Sequence, residues 1–223
     1  MYKKYFKRIL DLILALIALP FWLIILIIIG PIIYLQDKGP IFYNAPRLGK
    51  DGKIFTMYKF RSMRVNAPDI RNEDGSTYNS EDDPRLTKIG KFIRKTSLDE
   101  TPQLLNIIHG DMSIIGPRPD LPEHRLLYEG NEERKLEVRP GVSGYNQAYY
   151  RNTVPWKERI QHDIYYIDHL SLWLDMKIFL KTAVSVLKRE DIYVVPPNCG
   201  NSVEMAASNE NHVEDEKNIG IGT

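Results

Sequence analysis

Leu12-Ile13-Leu14-Ala15-Leu16-Ile17-Ala18-Leu19-Pro20-Phe21-Trp22-Leu23-Ile24-Ile25-Leu26-Ile27-Ile28-Ile29 is an unbroken apolar run of eighteen residues, counting Pro20. As a straight helix it extends roughly 27 Å at about 1.5 Å per residue, close to the ~30 Å of a bilayer core. It is apolar on every side, which suits lipid better than a protein core, where a polar stripe is usual. A secretory signal fits poorly, because the run exceeds the usual ~7–15-residue core and no small-x-small cleavage site follows. The segment reads as membrane-embedded.

Its flanks bear on whether it crosses. Lys3, Lys4, Lys7 and Arg8 precede the run, and Lys38, Arg47, Lys50, Lys53, Lys59, Arg61 and Arg64 follow it. Positive flanks stay on the cytoplasmic side, so a simple span would strand one cluster on the wrong face. Pro20 has no amide proton and its ring opposes the Leu16 carbonyl, which kinks a helix. The expectation is a re-entrant anchor over residues 1–35 that bends at Pro20, returns to its own face and stops at Gly30-Pro31.

The rest of the 223 residues is water-compatible: mean hydropathy is -0.33 despite this run. The net charge of +1 conceals an asymmetry. Residues 1–64 hold eleven basic side chains against three acids, whereas 201–223 hold five acids and one lysine. A basic front end suits an anionic surface or anionic substrates. The single cysteine, Cys199, excludes an internal disulfide or a thiolate metal cluster and fits a reducing compartment. Ile54–Phe60 is predicted as a short strand and residues 66–85 as an exposed polar loop. Helices are predicted over Lys88–Lys95, Ser97–His109 (stopped by Gly110), Asp120–Val138, Trp156–Leu170 and Ser171–Arg189. The fold class is therefore α/β, helix-rich with short strands, with a kinked membrane helix and amphipathic interfacial helices. A catalytic domain over 36–195 and a disordered acidic tail over 196–223 complete the organisation.

Ser97-Leu98-Asp99-Glu100 reads, on physical grounds alone, as a capping box in which Ser97 caps a helix and Glu100 reaches back. Acids in a first turn also complement the helix dipole. The same adjacent carboxylates, just after Arg94 and Lys95, suit a hard cation such as Mg²⁺, which binds through one or two carboxylates plus substrate phosphates. The five histidines show no metal spacing with a carboxylate.

Several long motifs then occur in one order: Lys59-Phe60-Arg61-Ser62-Met63, Asp83-Pro84-Arg85-Leu86-Thr87, and Thr96-Ser97-Leu98-Asp99-Glu100-Thr101-Pro102-Gln103-Leu104. Gly110-Asp111-Met112-Ser113-Ile114-Ile115-Gly116-Pro117-Arg118-Pro119 and Arg139-Pro140-Gly141-Val142-Ser143-Gly144 follow. From about Tyr5 to about Arg189 the chain resembles the bacterial sugar transferases, the monotopic phosphoglycosyl transferases, in their minimal catalytic form. The resemblance implies transfer of a sugar 1-phosphate from a UDP-sugar to polyprenyl (undecaprenyl) phosphate, with release of UMP. It implies Asp99 as nucleophile and Mg²⁺ contact, Glu100 in acid-base work or positioning, and Lys59, Arg94, Arg118, Gln147 and Arg151 as substrate or phosphate contacts. It also implies Mg²⁺ as cofactor and the cytoplasmic face of the bacterial inner membrane as location. Membrane lipids and downstream membrane glycosyltransferases are the implied partners, with no nucleic acid. Two departures stand out: Leu19-Pro20 where the family often has Ser-Pro, and Tyr149-Tyr150 where it usually has Asn-Gly before its arginine. The rival readings are an inactive membrane-anchored scaffold, and a lipid phosphate hydrolase that uses the same carboxylate-metal site.

Overall fold

A computed structural model describes residues 2–70, 78, 80, 82–150 and 154–188. Residues 196–223 and Arg151 lie outside the described residues. The apolar run forms the middle of one long helix, α1 (Lys7–Asp37), preceded by a π-helical turn over Tyr2–Phe6. Length and composition make α1 capable of crossing a membrane. Both prolines are accommodated inside it, and Pro31 does not end it as the sequence predicts. The reason is tertiary. Ile29 and Ile33 pack with Phe60 and Ile93, and Arg61 donates to the Ile33 carbonyl and pairs with Asp37, so the turns past Pro31 are held in place.

The other end of α1 docks through polar groups. Buried Asp11 accepts from Ser113 Oγ (2.7 Å) and the Ile114 amide (3.1 Å). Arg8 donates to the carbonyls of Ile107 (2.6 Å) and Ile108 (3.1 Å). Those carbonyls belong to the last turn of α3 (Gln103–His109), where helical carbonyls lack internal partners. Ala15 packs beside them with Met57, Ile107 and Met112. Most of the large apolar side chains between these two docked ends stay exposed, among them Ile17, Phe21, Ile24 and Ile27.

The helices stand on a small β scaffold. β1 (Phe42–Leu48) and β2 (Ile54–Phe60) form an antiparallel hairpin, Phe42 opposite Phe60 and Leu48 opposite Ile54, so the predicted strand is present. β3 (Ser113–Ile115) and β4 (Gly141–Ser143) pair in parallel. α2 (Lys88–Lys95) has the predicted bounds and is capped by Thr87 Oγ1, which accepts from the Gly90 amide at 2.9 Å. α4 (Tyr145–Tyr149), α5 (Trp156–Asp168) and α6 (Leu172–Lys188) close the described unit. Its largest core joins Ile115, Val138, Tyr166, Ile167 and Ile178. α6 turns Asp175 and Ile178 inward and leaves Leu172, Trp173, Met176, Phe179, Leu180 and Val184 outward.

Four further sequence expectations need correction. Ser97–His109 is not one helix: a 3-10 turn covers Leu98–Glu100 and α3 begins only after Pro102. Ser97 sits in the left-handed region (φ 56°) with no side-chain capping bond, so there is no capping box. Asp120–Val138 holds two 3-10 segments, Pro122–Leu127 and Glu132–Glu137, rather than one α-helix. The 66–85 stretch is not uniformly exposed either. Asp83 and Arg85 are buried, joined by a two-point pair (2.9 and 2.7 Å), and Arg85 also reaches the Pro68 and Tyr78 carbonyls.

Candidate active site

Asp99 and Glu100 lie where α2, β2 and the 3-10 turn meet. The left-handed Ser97 reverses the chain after α2, and Pro102 starts α3, so two successive carboxylates are held on a short, tightly wound segment. The two face different surroundings. Lys59, projecting from β2, donates to Glu100 Oε1 at 2.6 Å, and Arg118 Nη2 stands 3.6 Å from the same oxygen. Among the described residues no group donates a hydrogen bond to the Asp99 carboxylate. Arg94, from the last turn of α2, is oriented by its Nε bond to Ser62 Oγ (3.0 Å) and acts on Asp99 through its charge.

Electrostatics separates the pair. Burial, then the Glu100 charge, push the Asp99 carboxyl up to about 6, against the pull of Lys59, Arg94 and Arg118. Burial opposes the Glu100 charge too, but Lys59 and Arg118 outweigh it and hold that carboxyl down to about 2. Glu100 is therefore a fixed anion that anchors two cations. Asp99 is a nearly buried carboxylate (9 % exposed), ionised at neutral pH and not hydrogen-bonded to any described residue.

Of the residues singled out in the sequence, Lys59, Arg94, Asp99, Glu100 and Arg118 come together. Among the described residues no hydrogen bond or ion pair joins Gln147 to them. It lies on α4, which packs against α5 and α6, and its amide makes only a long 3.5 Å bond to the Val142 carbonyl. Asp163 and Asp175 are structural. Asp175 accepts from Tyr2 (2.6 Å), Lys7 (2.6 Å) and Tyr166 (2.7 Å), tying the N-terminus to α6.

Sequence reading missed the support of Arg118. Asp120, two residues on, accepts from Tyr128 (2.8 Å), Trp156 (3.2 Å) and the buried Lys135 (2.6 Å), while Asp163 closes the network 3.1 Å from Lys135. Trp156 is thus a polar anchor of this loop. Burial would raise the Asp120 carboxyl, but Lys135 and the two neutral donors hold it below its usual range. Asp163 goes the other way, pushed up to about 6 chiefly by burial. An aspartate directly after Pro117-Arg118-Pro119 was the available signal; its partners lie 8 to 43 residues away and carry no local pattern.

As a metal site the pair fits one role. No group of three His, Cys, Asp or Glu side chains able to hold a cation occurs among the described residues. Mg²⁺, however, commonly uses one or two protein carboxylates and takes its other ligands from phosphate and water. The Asp99 carboxylate suits that mode.

A family model described as "Bacterial sugar transferase" matches residues 2–189. The galactosyl transferase CpsE of Streptococcus agalactiae serotype III (strain NEM316) is 42% identical over 189 residues, covering 81% of this chain and 42% of CpsE. A Bacillus subtilis (strain 168) protein named "Uncharacterized sugar transferase EpsL" is 40% identical over 186 residues, covering 83% of this chain and 89% of EpsL. The undecaprenyl-phosphate galactose phosphotransferase of Salmonella typhimurium is 38% identical over 207 residues, covering 85% of this chain and 42% of that protein. The chain thus spans about two fifths of the length of some curated relatives and nearly all of others.

Proposed function

The chain belongs to the bacterial sugar transferase family, and from that premise we propose that it transfers a sugar 1-phosphate from a UDP-sugar to undecaprenyl or a similar polyprenyl phosphate. One observation carries the reading: within the family's matched region, a nearly buried carboxylate with no hydrogen-bond donor among the described residues sits among Lys59, Arg94 and Arg118. An Asp99 oxygen attacks the β-phosphorus of the donor. The bond from that phosphorus to the bridging oxygen breaks, and UMP leaves with the electron pair. An oxygen of the lipid phosphate then attacks the same phosphorus, the aspartyl–phosphorus bond breaks, and the Asp99 carboxylate is restored. Two displacements replace one difficult encounter of a doubly anionic pair. Arg118 and Lys59, anchored on Glu100, and Arg94, oriented by Ser62, offset charge that builds on the phosphoryl oxygens. Mg²⁺, held by Asp99 and the donor diphosphate, would lower the repulsion between carboxylate and substrate.

The membrane seat belongs to the same reading. A re-entrant α1 on the cytoplasmic face is supported by the docking of both its ends on one body, Asp11 on β3 and Ile33 on Phe60, with exposed apolar side chains between. The outward apolar face of α6 suits the interface as a second contact.

The test is UMP release with UDP-galactose, UDP-glucose and UDP-N-acetylgalactosamine, with and without polyprenyl phosphate, in Mg²⁺. Wild type is expected to need the lipid for turnover and to gain the mass of one phosphosugar when the lipid is withheld. Asp99→Asn is expected to lose turnover by on the order of 10³-fold or more and to gain no mass. Sustained release without lipid would make the chain a hydrolase, and no release from any donor would favour the scaffold.

A further inference from the structure

A second, apolar site has a lining that includes neither Asp99 nor the cations around it. Beside the last turns of α1 a groove of about 840 Å³ runs between that helix and α2. Ile32 and Leu35 line it from α1, and Ile89 and Phe92 from α2. Leu35 is 73 % exposed and Phe92 53 %, so among the described residues these side chains lack cover. Arg64 and Lys88 also line the groove, no lining residue is acidic, and neither cation forms an ion pair with a described residue. The nearest acid on α1, Asp37, is taken by Arg61 and the Val65 amide.

We infer that this groove is a binding site for one anionic bilayer phospholipid, its acyl chain against Ile32, Leu35, Ile89 and Phe92 and its phosphate on Arg64 and Lys88. Three observations choose this occupant. The apolar walls continue the exposed apolar surface of α1, so a chain enters from the bilayer without crossing water. Two unpaired cations beside an apolar groove match a phosphate headgroup joined to a hydrocarbon chain. The groove shares none of its lining residues with the Lys59, Arg94 and Arg118 set around Asp99, so an acceptor phosphate that must meet Asp99 has its own cations. The site rests on the membrane seating of α1 and not on the transfer reaction.

The experiment uses the full chain in nanodiscs of equal parts phosphatidylcholine, phosphatidylethanolamine and phosphatidylglycerol. The lipids that stay bound after ejection from the disc are counted by native mass spectrometry. Wild type is expected to retain one phosphatidylglycerol above the bulk ratio. Each surface cation is worth about fivefold in anionic-lipid preference, so Arg64→Ala/Lys88→Ala is expected to lower that enrichment roughly thirtyfold. Lys50→Ala/Lys53→Ala removes the same charge elsewhere and is expected to leave it unchanged. Phe92→Asp, with unchanged thermal unfolding as the check on folding, is expected to lose the lipid through the apolar wall. Equal retention by wild type and the Arg64/Lys88 variant overturns the site. Displacement of the bound lipid by stoichiometric polyprenyl phosphate overturns the occupant and makes the groove part of the acceptor path. Turnover is not read, so failure here leaves the transferase reading intact.

Discussion

Asp99 and Glu100 are neighbours in sequence with opposite electrostatic fates, and the difference lies in who holds them. Glu100 takes Lys59 and Arg118, which hold its carboxyl down to about 2. Asp99 is left with burial and with the charge of Glu100, which raise its carboxyl to about 6. A nucleophilic carboxylate must be ionised, so activity rises with pH through that value. One unit below it, kcat/KM for the donor is expected to be about tenfold lower than on the plateau. Glu100→Gln removes the raising charge and releases two cations toward Asp99. The rising limb of the pH profile is then expected to move to lower pH even as the plateau falls. A profile that keeps its midpoint in this variant would show that Glu100 does not set the ionisation of Asp99.

At the scale of elements, α2 joins the scaffold to the chemistry, because it carries Arg94 and is seated by Gly90. A Cβ at Gly90 would stand 1.8 Å from the Ser62 carbonyl oxygen, backbone that cannot swing aside. Ser62 also positions Arg94 through its hydroxyl and accepts the Thr87 amide. Gly90→Ala is expected to destabilise the protein by about 1–3 kcal/mol, read as a lower urea midpoint, and to cut turnover by displacing Arg94. The loop that bears Arg118 has its own anchor. Asp120→Asn keeps the shape but removes the charge facing Lys135, and Asp163 can neutralise Lys135 in its place by ionising more readily. The expected result is a raised donor KM with a smaller change in kcat, and a shift that reports positioning rather than chemistry. These elements differ in how far sequence foretold them. α2, α5, α6 and β2 follow from local periodicity, which the fold leaves in charge. The break between Leu98 and Gln103 does not, because Ser97 in a left-handed conformation overrides a perfectly good capping pattern. Lys59, Arg94, Asp99, Glu100 and Arg118 were found through motif order. The Asp120–Lys135–Asp163 network, made by residues far apart in the chain, left only Asp120 beside a motif to notice.

For the whole molecule, the buried carboxylates that a charged active site requires bear on stability. Asp99 and Asp163 each have a folded pKa raised to about 6, above the ordinary aspartate value. Between roughly pH 4 and 6 the folded protein then holds more protons than the unfolded chain, so stability falls as pH rises through that window. Glu100 and Asp120, both depressed, act the other way, but their contribution is complete above about pH 4.5 and is lost only at lower pH. The two opposing pairs place the stability maximum near pH 5, on the acid side of the activity plateau. Thermal unfolding of the full chain in detergent is expected to show a higher midpoint at pH 5 than at pH 7.5. Asp163→Asn, which keeps the neutral form at every pH, is expected to flatten that difference, whereas Asp168→Asn on the exposed surface is expected to leave it. A midpoint that climbs steadily from pH 5 to 7.5 in wild type would mean that Asp99 and Asp163 ionise in the folded protein as readily as in the unfolded chain. The active site would then carry no stability penalty, and the low-pH loss of activity would have to come from the substrate phosphates instead.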